Sequence, residues 1–149
     1  MTHLANSLSL RPFRLADAGA IEPWLSAPGL SMPRGAARRD WPMRVLADGR
    51  ILLQVALSGG FPIGLVRLDC GPDLVAEVTL VVAPHSRRRG HGRAILGATI
   101  VQARDLGLHK LVASIDLGNT AALEFFQEMG FCQSGRVANR LRLVPSWLR

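Results

Sequence analysis

The chain has 149 residues, 48% of them hydrophobic and 19% charged, and a formal net charge of +7. That length and balance suit one folded domain over residues 1–149 with a core of its own, and exclude a disordered chain; no apolar run approaches the roughly 20 residues that span a bilayer. The positive charge favours an anionic partner, but Lys110 is the single lysine beside many arginines, and with no tyrosine and few aromatics the chain lacks the stacking surface of a nucleic-acid binder. The opening MTHLANSLSLRPF does not have the basic-then-apolar layout of a signal peptide, so a cytoplasmic protein is expected, with no nucleic acid or membrane as partner. Cys70 and Cys132 lack CxxC spacing and read as reduced core residues. No His, Cys or Asp cluster has metal-ligand spacing, so no metal is expected.

Residues 7–14, SLSLRPFR, alternate polar and apolar and predict a first strand. LADAGAIEPWL follows as a helix, with Asp17 placed as its N-cap or first-turn acid. Residues 26–44 hold prolines, glycines and scattered arginines and read as an irregular or short-helical stretch, a candidate lid. GRILLQVAL and PIGLVRLD around SGGF predict a hairpin. Residues 74–82 form a nearly all-apolar strand that belongs in the middle of a sheet, closed by Ala83 and Pro84. After Gly92 the period changes: Ile95, Leu96, Thr99, Ile100 and Ala103 recur at helical spacing, giving an amphipathic helix over 92–106 that Gly107 stops. HKLVASID is a strand, NTAALEFFQEM a helix entered at Asn119 or Thr120, and FCQSGRV and RLRLVP two last strands. The order predicts a single α/β (α+β) domain with a mixed, mostly antiparallel central sheet flanked by helices.

The stretch HSRRRGHGRAIL stands where the apolar strand gives way to a helix. Such a junction leaves backbone amides without partners at the positive end of a helix dipole, which is an anion site. Gly90 and Gly92 allow a phosphate to approach the backbone, and Arg87, Arg88, Arg89 and Arg93 bring cations to the same spot. The run has neither GxxxxGK[ST] nor GxGxxG, so it reads as a pyrophosphate cradle of another kind.

Arg87-Arg88-Arg89-Gly90-His91-Gly92, after Val82-Ala83-Pro84, resembles the [RQ]xxGx[GA] acyl-CoA signature of the GCN5-related N-acetyltransferase superfamily. NTAALEFFQEMGF resembles that family's second motif through Asn119, Ala122, Phe126, Gly130 and Phe131, and LRPFRLADAGAI its first strand and helix. The resemblance is close over residues 74–131 and looser over 8–137. It implies a fold of that family and acetyl-CoA as acyl-donor cosubstrate. The amides of Arg88 to Arg93 would then hold the CoA pyrophosphate. The edge of the strand at Leu80, Val81 and Val82 would pair with the pantetheine arm, the Val82 N–H polarising the thioester carbonyl. Asn119 and Phe126 would line the arm near the thioester.

Direct transfer to an amine needs a base. Glu77, the lone carboxylate in an apolar strand, is the first choice, on the expectation that burial raises its pKa; the competing reading is a solvated or arginine-paired carboxylate. Asp116 is the second choice, with a cap as its competing reading. His85, His91 and His109 read as solvated or phosphate-edge residues. Two positions depart from the family pattern. Phe126 stands where many members have a tyrosine acid, and Ser114 where ribosomal-protein acetyltransferases have a glutamate. The resemblance therefore implies transfer of an acetyl group to the primary amine of a small molecule, an amino sugar, an amino acid or similar. A protein or peptide N-acetyltransferase and a non-catalytic CoA-binding module are the alternatives. PIGLVRLD and AEVTLVVAP also resemble enzymes that act on nucleotide-linked amino sugars, and Trp24, Trp41, Arg34, Arg38, Arg39 and Arg44 offer a wall for a carboxylate. Assembly as a homodimer is left open.

Overall fold

The computed structural model describes residues 8–26, 40–86 and 90–145. Seven strands form one sheet: β1 (Leu8–Pro12), β2 (Ile51–Ser58), β3 (Phe61–Cys70), β4 (Val75–Val82), β5 (Lys110–Asp116), β6 (Phe131–Val137) and β7 (Arg140–Pro145). Their spatial order is β1-β2-β3-β4-β5-β7-β6. Every neighbouring pair is antiparallel except β4–β5, which is parallel. The mixed, mostly antiparallel sheet expected from the sequence is therefore present, with the 74–82 strand fourth of seven. The position of β7 between β5 and β6 could not be read along the chain, because it depends on long-range pairing.

Among the described residues four helices accompany the sheet: α1 (Ala18–Ile21), α2 (Trp41–Ala47), α3 (His91–Asp105) and α4 (Thr120–Glu128), with short 3-10 turns at Leu15–Asp17 and Glu22–Ser26 on either side of α1. Ile95, Leu96, Thr99, Ile100 and Ala103, the periodic positions of the sequence, are the buried stripe of α3. Gly107 ends it with φ +77°. The stripe packs on Ala56, Val66, Leu68, Ala76 and Val78, even-numbered positions of β2, β3 and β4, and the core continues to Leu111, Ala113 and Leu143. Each buried Val, Leu or Ile among them contributes about 1.5–3 kcal/mol by leaving water. Gly64 lets α3 lie close: a Cβ there would meet Ile95 Cδ1 at 2.7 Å and the Val81 carbonyl oxygen at 2.8 Å.

The odd-numbered positions face the other way. Leu53, Val55, Leu65 and Val81 pack there against Phe13, Ile21, Trp24 and Trp41. Trp41 Nε1–H donates to Glu22 Oε2 at 3.3 Å and ties α2 back to the turn after α1. Of the irregular stretch expected over 26–44, residues 41–44 belong to α2, while 27–39, with Arg34, Arg38 and Arg39, lie outside the described residues. No helix among the described residues is long and apolar enough to cross a membrane.

Candidate active site

β4 pairs with β3 as far as Val82 opposite Gly64, but its pairing with β5 ends at Glu77 opposite Val112. From Ala113 onward β5 pairs with β7. The two central strands thus part, and from Val78 to Val82 the β5 side of β4 has no strand beside it among the described residues. Alternate amides of a strand point to opposite sides. The Ala83 N–H donates to Ile63 O at 2.8 Å, towards β3, so Leu80 and Val82 turn their amides towards the parted side. Val81, between them, buries its side chain under the aromatic cluster.

A cleft of about 220 Å³ occupies the gap. Leu80, Thr79 and Glu77 line it from β4, Ser114 and Asp116 from β5, and Asn119, Ala122 and Phe126 from α4. Asn119 is the N-cap of α4, its side-chain oxygen accepting the Ala122 N–H at 3.2 Å. Phe126 is buried, edge-on to Phe125 and Phe131 with centroids 5.3 and 5.1 Å away. One ring thus serves the core and the cleft wall together.

At the far end of the parted strand, Gly90 opens α3 with φ +76°, a left-handed conformation that costs other residues about 1–2 kcal/mol. Its carbonyl accepts the Ala94 N–H at 3.2 Å, the first bond of the helix. The amides of His91, Gly92 and Arg93 therefore have no intrahelical acceptor. His91 Nδ1 is buried without a hydrogen-bond partner. At Gly92 the requirement is space: a Cβ would meet Phe125 Cε1 at 3.2 Å and Val82 Cγ2 at 3.6 Å. Arg93 Nη2 lies 3.5 Å from Glu128 Oε2 across to α4, an exposed ion pair. Arg87, Arg88 and Arg89 lie outside the described residues.

Glu77 reaches the cleft, but the expectation that it is buried is not met. It is exposed, because the apolar cover on its face of the sheet stops over Leu65 and Val81 and leaves the Val75 end of β4 open. Asp116 Oδ1 accepts the Gly118 N–H at 2.8 Å, so Asp116 is a turn acceptor as well as a cleft residue. His85 stacks edge-on against Phe61 at 5.6 Å and Trp24 at 6.4 Å.

Sequence reasoning did not single out three further cleft residues. Arg67 on β3 lies opposite Thr79, and its Nε and Nη2 donate to Asp69 Oδ1 and Oδ2 at 2.7 and 2.9 Å. The hydrogen bonds to Asp69 hold the Arg67 guanidinium above its usual pKa against partial burial, with Glu77 adding to the effect. Arg140 on β7 donates from Nε to Ser114 Oγ at 2.8 Å and from Nη2 to the Ser114 carbonyl at 2.5 Å. The signal for Arg67 and Asp69 was their parity with Leu65; using it needed the register that puts Asp69 opposite Glu77.

Chemically, the arrangement offers an amide-rich, dipole-positive end for an anion, a strand edge for an extended polar chain, and a cleft with carboxylates and guanidinium groups at the end of that edge. The amides of His91, Gly92 and Arg93, without intrahelical acceptors at the positive end of α3, fit an acyl-CoA pyrophosphate in both charge and donor type.

A family model described as Acetyltransferase (GNAT) family matches residues 16–131. The L-methionine sulfoximine/L-methionine sulfone acetyltransferase of Pseudomonas aeruginosa is 35% identical over 114 residues, 75% of this chain and 63% of that protein. The L-amino acid N-acyltransferase MnaT of Escherichia coli is 40% identical over 72 residues, 48% of this chain and 42% of that protein. An uncharacterized N-acetyltransferase of Methanocaldococcus jannaschii is 31% identical over 111 residues, 70% of this chain and 48% of that protein. The matches thus span between about two fifths and two thirds of these relatives' lengths. Among solved structures, a chimera of the spermidine N-acetyltransferase SpeG from Vibrio cholerae and hSSAT superposes with a TM-score of 0.77 at 20% identity, covering 94% of this chain and 96% of that one. At that identity the likeness is one of fold.

Proposed function

The chain belongs to the acetyltransferase (GNAT) family, and on that premise we propose that it moves the acetyl group of acetyl-CoA directly to the primary amine of a small molecule. The observation that carries the reading is the parting of β4 from β5. It leaves the β5 side of Leu80 and Val82 without a neighbouring strand among the described residues, between the N-terminus of α3 and the cleft that Glu77 lines. The Pseudomonas and Escherichia relatives, which by name act on amino-acid compounds, support a small acceptor.

In this reading His91, Gly92 and Arg93 hold the pyrophosphate by their N–H groups. Leu80, Val81 and Val82 supply the strand edge on which the pantetheine arm lies, and Val82 N–H polarises the thioester carbonyl. Asn119 and Phe126 wall the arm from below. Acetyl-CoA itself supplies the activated acyl group and a thiol leaving group. Glu77 takes the proton of the incoming ammonium through water, which suits a carboxylate at the exposed mouth of the cleft. The chain contains no tyrosine to return a proton to sulfur; a thiol pKa near ~8.5 lets water do so. The same reading places the protein in the cytoplasm.

The test is a melting scan together with a transfer assay. A hundredfold excess of CoA over its Kd raises Tm by about 5–11 °C, single-stranded DNA leaves it unchanged, and acetyl-CoA releases free thiol in the presence of an amine from a set of amino acids, amino sugars, polyamines and short peptides. No shift with CoA or acetyl-CoA overturns the reading.

A further inference from the structure

Arg67 belongs to two hollows. It lines the cleft with Glu77 and Thr79, and it also lines a neighbouring groove of about 200 Å³ walled by Trp41, Val45 and Ile51, with Arg44 and Asp48 at its rim. We propose that Arg67 is the anchor for a carboxylate carried next to the reacting amine, so that the acceptor is an α-amino acid whose side chain enters the Trp41–Val45–Ile51 groove. The proposal rests on the transferase reading above and decides among the acceptors it leaves open.

Geometry supplies the first support. Arg67 lies opposite Thr79, and Glu77 is two residues along β4 on the same face. Diagonal neighbours of this kind have Cα atoms about 7–8 Å apart, within reach of long side chains. A guanidinium and a carboxylate thus stand side by side on one wall. An α-amino acid presents the complementary pair, with an ammonium and a carboxylate on one carbon. Its nitrogen at Glu77 puts its carboxylate within the reach of Arg67.

The hydrogen bonds supply the second. Asp69 occupies the Nε and Nη2 edge of the guanidinium, fixing its plane. Of the five N–H donors of an arginine, that leaves the end-on edge formed by Nη1 and the second Nη2 proton for a bidentate carboxylate. Asp69 is thus a positioning residue. The third support is charge. Neither a polyamine nor an amino sugar carries an anion to offer Arg67. Beyond Arg67, Trp41, Val45 and Ile51 give the groove an apolar part that suits an aliphatic or thioether side chain, with Arg44 and Asp48 lining the rest.

The experiment compares L-leucine and L-methionine with their methyl esters, their decarboxylated amines and spermidine, using the full chain and saturating acetyl-CoA. The expected result is a kcat/KM for the free acids at least tenfold above those of the esters, the amines and spermidine. Arg67→Gln raises KM for the free acids at least tenfold, while kcat/KM for the esters moves less than threefold and KM for acetyl-CoA is unchanged. Asp69→Asn raises KM for the acids at unchanged kcat, and Arg67→Lys restores part of the preference. Esters or amines accepted by the wild type as well as the acids overturn the anchor, a comparison that needs no variant to fold. So does Arg67→Gln lowering kcat/KM for acids and esters alike. No transfer to any of these amines overturns the anchor, and an accompanying absence of a CoA melting shift overturns the transferase reading with it.

Discussion

On the face of the sheet that α3 covers, the positions Val66, Leu68, Ala76 and Val78 are all aliphatic and buried, and Gly64 is shaved to bare backbone so that Ile95 fits above it. On the opposite face the apolar run ends at Leu65 and Val81, and the next positions along the same two strands are Arg67, Asp69, Thr79 and Glu77. One sheet thus carries a face whose side chains are chosen for volume and another chosen for charge. The donor end, at Gly90 and Gly92, obeys neither rule, since its requirements are on the backbone. The contrast implies that changes on the packed face cost stability and spare the chemistry, whereas changes on the charged face do the reverse.

The largest expected effect is on the charged face. Glu77→Gln keeps the shape of the side chain and removes the carboxylate proposed as the base, and should lower kcat about a hundredfold. Tm should move by less than about 1 °C, because an exposed side chain contributes little to folding. Steady-state kinetics and a melting scan on the same preparation check both halves. Full turnover would remove Glu77 from the base role and leave the CoA assignments standing.

Next comes the packed face. Gly64→Ala places a methyl 2.7 Å from Ile95 Cδ1 and 2.8 Å from the Val81 carbonyl. The backbone oxygen cannot swing aside as a side chain can, so about 2 kcal/mol of stability should be lost, or some 4–8 °C in Tm for a chain of this size. Activity at 25 °C should persist. An unchanged Tm would show that α3 rides more loosely on the sheet than the distances imply.

Between the two faces stands the donor end. Gly92→Val pushes on Phe125, and Gly90→Val forces a branched residue to φ +76°. Each should weaken CoA binding at least tenfold by titration calorimetry, for every acceptor alike. Arg88→Ala should change it less than threefold. The reverse ranking would mean that side-chain charge, not the amides, holds the pyrophosphate.

This division also explains what the sequence allowed one to read. Requirements on the backbone leave marks along the chain: glycines at 90 and 92, an N-capping Asn119, the change of period after the strand. The volume rule leaves a periodic stripe, from which α3 was legible nearly to the residue. The charged face leaves no such mark. Arg67 and Asp69 look like ordinary polar ends of a strand until the register sets them beside Glu77. Arg140 reaches Ser114 only because β7 inserts beside β5. Glu77 itself was recognisable as the odd residue in an apolar strand, yet its exposure was not, since that depends on where the aromatic cover over Leu65 and Val81 ends. Chemistry that is assembled by long-range pairing is written in the fold more than in any one segment.

The smallest effect concerns the anchoring of that cover. Asp17, just before α1, accepts two hydrogen bonds from Arg11 at 2.8 Å each and one from the Arg14 N–H at 2.8 Å. The Arg11 bonds hold its carboxyl below the usual carboxylate range, against the opposing effect of partial burial and with the Arg14 N–H assisting. A depressed folded pKa stabilises the protein above the unfolded value of about 3.9 and loses that contribution as pH falls through the folded value. Asp17→Asn should therefore cost about 1 kcal/mol between pH 5 and 8, read as a Tm lower by 2–4 °C. The gap from wild type should close as pH drops below about 4. Because Asp17 secures the segment that carries Ile21 and Trp24 over the sheet, and touches neither the amides of α3 nor Glu77, CoA affinity should be unmoved. A change in that affinity would mean that the cover and the donor end are coupled, and that the separation between the two faces is weaker than their side chains suggest.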